Sequence, residues 1–262
     1  VSGRDADPWA LLRAFTDARV GQGCAGTSLP TRELLAFTQA HAAARDAVHA
    51  DADFTGLRAA LDGLGEPVLE VRSRAPDRAT YVRRPDLGRA LHPASAAELD
   101  AWHAAHPEPL DVAVVVADGL SARALAQVPG VLGALLPELR REGFRLAPVV
   151  FAAQARVALG DGVALALGAR LVLVLIGERP GLSSPDSLGA YVTHAPQPVT
   201  PDSARNCVSN IRPAGLDGRT AAWRLHWLIL NALRRALSGV PLKDDSGEVP
   251  RHFAPHALPR GG

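Results

Sequence analysis

Three stretches carry residue types whose spacing could do chemistry. Gly21-Gln22-Gly23-Cys24-Ala25-Gly26 has three spaced glycines, the pattern that lets a tight turn bring helix N-terminal amides onto a pyrophosphate. A buried strand must deliver that turn, yet the upstream run Phe15-Thr16-Asp17-Ala18-Arg19 has helix character. A glycine-rich loop between helices is the better reading, and a nicotinamide site is rejected there. Ser184 or Cys207, with His194 as base, could make a nucleophilic pair. Neither stands in a glycine-flanked nucleophile elbow, and Ser184 precedes a proline in a plain turn. His41 and His49 lie two helical turns apart, too far for a chelating pair, so no metal site is expected. Glu178 is different. It directly follows an apolar run, where a strand would end facing a ligand, and a carboxylate there can accept hydrogen bonds from amides or hydroxyls. A loop ion pair with Arg179 is the competing reading, and these residues alone leave the two even.

The elements that would position Glu178 form the second half of the chain. Val112 to Ala117, Ala147 to Ala153 and Leu171 to Ile176 are apolar runs, as expected for strands covered on both faces. Between them, Ser121 to Arg141 has helical spacing, interrupted near Pro129-Gly130 and Pro137, and Asp161 to Leu167 reads as a short helix. Strands alternating with helices imply right-handed crossovers and a parallel sheet, with Val112 to Ala117 beside both later strands. Ligands in such sheets sit beyond the carboxyl ends of the strands. Here those ends are Asp118 to Ser121, Gln154 to Val157 and Gly177 to Gly181. Tyr191 to His194 is a candidate further strand. A long helix runs from about Leu216 to Leu237, and the last twenty residues look like a tail.

The first hundred residues read as mainly helical. Asp7-Pro8 opens a helix with Trp9, Leu11, Leu12 and Phe15. Ser28-Leu29-Pro30-Thr31 opens a second, which runs to about Ala50, and Asp53 to Leu64 makes a third that stops at Gly65. A short strand at Val68 to Val71 and a Pro- and Arg-rich connection follow. Ser95-Ala96-Ala97-Glu98 then fits a capping box before the helix that carries Trp102. The expected fold class is α/β, with a mainly helical N-terminal region (1–107) followed by a Rossmann-like parallel-sheet domain (108–262).

Composition narrows the function. The 262 residues suffice for one large domain or two modest ones. Lys plus Arg is 28 against 27 for Asp plus Glu, too balanced for a general binder of nucleic-acid backbone. No apolar run is long enough to span a bilayer, and no leader pattern is seen, so secretion is not expected. Cys24 and Cys207 are too few for a disulfide framework, which fits a reduced cytoplasmic setting.

Several stretches together resemble the small (light) subunit of ethanolamine ammonia-lyase. They are Ser28 to Leu35, His41 to Val48, Asp118 to Ala122, Val157 to Asp161, Arg205 to Pro213 and Leu242-Lys243-Asp244. The most specific is Ile176-Gly177-Glu178-Arg179-Pro180-Gly181-Leu182-Ser183-Ser184-Pro185-Asp186-Ser187-Leu188-Gly189-Ala190-Tyr191. The resemblance implies an adenosylcobalamin-dependent lyase that turns ethanolamine into acetaldehyde and ammonia by a radical mechanism. A large (heavy) subunit would hold the substrate, and this chain would close over the cobalamin at the interface, with no complete active site of its own. Carried over residue by residue, Val157 would meet the cofactor through backbone and apolar surface, Glu178 would accept hydrogen bonds, and Cys207 would pack beside it. Ser183 and Ser184 are secondary candidates. No Asp-x-His-x-x-Gly string occurs, so the cofactor's own dimethylbenzimidazole would stay on cobalt. The setting implied is the bacterial cytoplasm, with a bacterial microcompartment left open. The alternative from the residues alone is a stand-alone nucleotide-binding or hydrolase α/β domain.

Overall fold

The computed structural model describes residues 9–251 and 253. At its centre lies β2 (Leu110–Ala117), and the alternation of its side chains decides the layers. Val112, Val114 and Val116 enter one core with α3 (Phe54–Leu61), α6 (Val128–Arg141) and α8 (Gly218–Arg235). Ala113, Val115 and Ala117 enter a second core with α5 (Pro93–Ala105) and α7 (Leu159–Leu167). The neighbouring β4 (Ala169–Gly177) repeats the pattern, with Leu171, Leu173 and Leu175 on the first face and Val172, Val174 and Ile176 on the second. Burial on both faces is why these segments read as unbroken apolar runs.

The sheet has six strands in the order β1-β3-β2-β4-β5-β6, where β1 is Val68–Arg72, β3 Val149–Ala153, β5 Leu188–His194 and β6 Asn206–Ile211. As expected, β2 lies between β3 and β4. The four strands β1 to β4 are parallel, and β5 and β6 extend the sheet antiparallel. The link from β4 to β5 is a short loop with no crossover helix, so the chain can only turn back on itself. The fold class is α/β with a helical N-terminal region: α1 (Ala10–Arg13), α2 (Thr31–His49), α3, α4 (Arg78–Arg83) and α5 precede β2. From that region β1 reaches across to form the sheet's edge.

After β2 the chain goes to β3 on one side, then crosses back to β4 on the other. The carboxyl ends of β2 and β4 therefore diverge in connection, which opens a crevice between them. Gly119 and Gly177 make this approach possible. Gly119 has φ +56, and a Cβ on it would stand 2.2 Å from the Gly177 carbonyl oxygen, which only glycine permits.

Four local expectations need correction. Ser95 does not cap α5: His92 is the N-cap, its Nδ1 accepting from the Ala94 amide, while the buried Ser95 Oγ accepts from Arg72 N. Pro129 and Pro137 do not interrupt α6. Pro129 falls in its first turn and Pro137 sits inside a continuous helix, where Gly133, four residues earlier, relieves the clash of the ring. The C-terminal residues are not all a tail, because Phe253 is buried and packs edge-on against Trp223. Arg219 donates to the carbonyls of Phe253 and Pro250 there. The first helix is only the four residues of α1, and its expected start at Asp7-Pro8 lies outside the described residues. The spaced glycines sit in a turn segment, where Gly21, Gly23 and Gly26 all have positive φ. No strand leads into it, so the rejected dinucleotide fingerprint is a loop between α1 and α2.

Candidate functional site

A cleft of about 580 Å³ occupies the crevice at the carboxyl ends of β2 and β4. Two buried arginine–carboxylate pairs hold its walls. On the first wall, Asp118 at the end of β2 accepts from the amides of Gln154 (3.0 Å) and Ala155 (3.0 Å) and from Arg78 Nη1 (3.1 Å). It thereby pins the β3–α7 connection against β2. Burial pushes the Asp118 carboxyl up, opposed by the Ala155 amide, the Arg78 charge and the Gln154 amide. Arg78 also donates to the Gly119 carbonyl (2.8 Å) and, from Nε, to the Val48 carbonyl (2.7 Å), so it ties the end of α2 to the cleft. Tyr81 lies between two guanidiniums, with Arg78 at 4.9 Å and Arg156 at 4.4 Å from its ring centroid. Its hydroxyl donates to the Ala155 carbonyl (2.9 Å), and burial pushes its pKa far up. It stays a neutral donor that fixes the loop.

On the second wall, Arg205 grips Asp161 with two bonds, Nη1 to Oδ1 (2.7 Å) and Nη2 to Oδ2 (2.6 Å). The same guanidinium donates to Thr193 Oγ1 (3.0 Å) and the Thr200 carbonyl (3.1 Å). One planar fork so joins the first turn of α7, strand β5 and the β5–β6 connection. At the cleft floor, Glu178 follows β4 directly. Its Oε2 accepts from Ser187 Oγ (2.5 Å) and the Asn210 amide (3.3 Å). Those bonds fix the carboxylate and leave Oε1 unshared. The cleft can therefore hold a large polar ligand through preset donors and acceptors. Its carboxylates are already engaged by the chain itself, an arrangement suited to binding rather than to proton transfer.

The family model described as "Ethanolamine ammonia-lyase light chain (EutC)" matches residues 6–243. The ethanolamine ammonia-lyase small subunit of Azotobacter vinelandii is 52% identical over 247 residues, which are 94% of this chain and 91% of that protein. The corresponding subunit of Rhodopseudomonas palustris is 54% identical over 236 residues, covering 90% of this chain and 89% of that one. The one from Ralstonia nicotianae is 51% identical over 245 residues, with 93% and 90% covered. The chain belongs to the ethanolamine ammonia-lyase light-chain family.

In this light chain the residues singled out by sequence do not all meet. Val157 and Glu178 both line the cleft, Val157 at the start of α7 and Glu178 at the end of β4. Cys207 was expected on a strand-end loop but sits on β6, directly opposite Tyr191 of β5. Tyr191 lines the cleft, so Cys207 stands behind it on the exposed edge strand. Desolvation pushes the Cys207 thiol up, the neighbouring Tyr191 hydroxyl pulls it down, and the charge of Glu178 raises it further. It is no activated thiolate. Ser183 and Ser184 form a turn closed by backbone bonds between Gly181 and Ser184, away from the cleft lining. His194 pairs with Leu171 at the opposite end of β4 from Gly177. Six residues of strand separate those positions, roughly 20 Å at the usual rise, so no Ser184–His194 pair exists.

Sequence reasoning missed Tyr81, Arg156, Arg205 and Asp161. Tyr81 and Arg156 lie 75 residues apart in sequence, and nothing in the Pro- and Arg-rich connection marks Tyr81 as the packing centre of a wall. An Arg in the Arg205-Asn206-Cys207 run was visible as part of the resemblance, but its partner Asp161 looked like an ordinary residue near a helix start.

Proposed function

We propose that this chain is the small subunit of an adenosylcobalamin-dependent ethanolamine ammonia-lyase, closing the cobalamin site against a large subunit. The complex would convert ethanolamine to acetaldehyde and ammonia by a radical mechanism, and the isolated chain would be inactive. The observation that carries this reading, beside family membership, is the cleft at the switch point. It combines close backbone approach at Gly119 and Gly177, the unshared Glu178 Oε1 and a buried Arg156 Nε with no hydrogen-bond partner. A corrinoid ringed with amides requires such a mixture of donors, acceptors and apolar wall. It is also larger than the cleft, so a second protein surface must cover the rest, as a two-subunit site supplies.

When bound, adenosylcobalamin supplies radical chemistry through its weak cobalt–carbon bond. The chain's own residues bind and orient. Glu178 accepts from peripheral amides or hydroxyls while Ser187 and the Asn210 amide hold its carboxylate in place. Val157 offers apolar surface beside the first turn of α7. Tyr191, with Cys207 behind it, forms the wall toward β6, and the two buried arginine pairs keep both walls from moving apart. Substrate would be held mainly by the large subunit. We place the complex in the bacterial cytoplasm, free or inside a microcompartment.

The test is to produce the chain with and without a large subunit of the family and assay both with adenosylcobalamin and ethanolamine. Acetaldehyde from the complex and none from the chain alone supports the reading. Turnover by the chain alone, or a complex that shows no bound-cobalamin spectrum, overturns it.

A further inference from the structure

The cleft holds more positive charge than its acids answer. Asp161 is taken up by Arg205, Asp202 lies 3.7 Å from that same guanidinium, and Glu178 is engaged by Ser187 and Asn210. Arg89, Arg156 and Arg179 line the same cleft and make no ion pair among the described residues. Three guanidiniums without carboxylates around one crevice create a local anion field, although the whole chain is nearly neutral.

Arg156 is the best placed of the three. Its amide donates to the Gly88 carbonyl (2.8 Å), and its guanidinium lies flat over Tyr81, so its direction is set before any ligand arrives. Its Nε is buried without a hydrogen-bond partner, a costly state that an incoming oxygen would relieve. It also leads directly into α7, a nine-residue helix whose N-cap, Ala158, offers no side-chain acceptor. The positive end of that helix thus adds to the guanidinium charge at one point. A planar, pre-oriented fork beside an uncapped helix start suits a tetrahedral oxyanion.

We propose that Arg156, supported by Arg89 and Arg179, forms a phosphodiester subsite within the cleft. This rests on the cobalamin reading above, and there it identifies the ligand group as the phosphodiester of the nucleotide tail. The corrin's peripheral side chains are neutral amides, so that phosphodiester is the cofactor's anionic group. The tail would then run toward α4 and the start of α7, leaving Glu178 to the corrin side.

Calorimetric titration of the assembled two-subunit complex with three corrinoids tests this: cyanocobalamin, cobinamide phosphate and cobinamide. The wild-type complex should bind cobinamide phosphate roughly ten- to a hundredfold more tightly than cobinamide. Arg156→Ala should abolish that difference and leave cobinamide affinity unchanged, while Arg156→Lys should restore only part of it. Arg89→Ala and Arg179→Ala, at exposed positions that cannot compromise folding, should each narrow the difference. Equal wild-type binding of cobinamide and its phosphate, with cyanocobalamin still bound, would overturn the subsite and leave the proposed function standing. Equal weakening of all three corrinoids by Arg156→Ala would make Arg156 a structural residue and also overturn it. A wild-type complex that binds no corrinoid would overturn both.

Discussion

The strands around β2 and the arm made by α1 and α2 follow opposite rules. Every side chain from Val112 to Ala117 is at most 1% exposed. By contrast α1 buries nothing and α2 buries only Ala47, while Trp9, Leu11, Phe15, Leu34 and Leu35 all stand exposed. The sheet is a packed slab with a core on each face, and the cleft inherits its rigidity because its walls begin where the strands end. The arm is linked to that slab by polar bonds, chiefly from Arg78 to the Val48 carbonyl and onward to Asp118. Stability and site geometry should therefore reside in the slab and its buried ion pairs, with little contribution from the arm.

Mutations can break that contrast at either end. Arg205→Ala should have the largest effect. It leaves Asp161, itself buried, without its partner, at a cost of about 3–5 kcal/mol, read as a lower urea midpoint. Leu173→Ala, in a fully buried position on β4, should cost about 2–5 kcal/mol through the cavity it opens. A loss under 1 kcal/mol by either would show that the slab is not the stabilising unit.

A smaller effect is expected at His226, on the α8 side. Its ring is buried against Trp223 and Phe253 and has no hydrogen-bond partner on either nitrogen. Desolvation lowers its pKa below 6.5, opposed by the charges of Glu142 and Glu138 and reinforced by those of Arg141 and Arg234. A depressed value in the folded state means that the unfolded chain takes up the proton first. The stabilisation from neutral His226 is thus present above about pH 6.5 and lost as pH falls through the lower folded value. His226→Phe should flatten the drop in melting temperature between neutral and mildly acid pH, and an unchanged slope would place that titration elsewhere. At the small end, Leu35→Ala on the arm, at 64% exposure, should shift stability by no more than about 0.5 kcal/mol. A larger loss would mean the arm packs more tightly than its exposure indicates.

The same contrast explains what could be read in advance. Strands β2, β3 and β4 were legible because burial on both faces writes itself as apolar runs, and their order followed from crossover handedness. Helix α3 was legible too, from Asp53, which accepts from the Gly56 amide, to Gly65 with its positive φ. Ser95 misled because its hydroxyl serves β1 across 23 residues instead of its own helix. Strand β6 carries no clear alternation, since at the edge only Val208 and Ile211 are buried. Val157 and Glu178 were found in the cleft because strand ends are a general address for ligands. Tyr81, Arg156 and the Arg205–Asp161 pair escaped notice because their meaning lies in long-range contact, which local pattern does not encode.

The central claim is that the strand-end cleft binds cobalamin and that Glu178 reads it. Titrating the two-subunit complex carrying Glu178→Gln with cyanocobalamin, with thermal unfolding as the control, tests this most directly. The substitution keeps shape and one acceptor but removes the charge, so affinity should fall roughly ten- to a hundredfold with the melting temperature nearly unchanged. Unchanged affinity alongside a large fall in melting temperature would contradict the account and make Glu178 a structural clamp for Ser187 and Asn210.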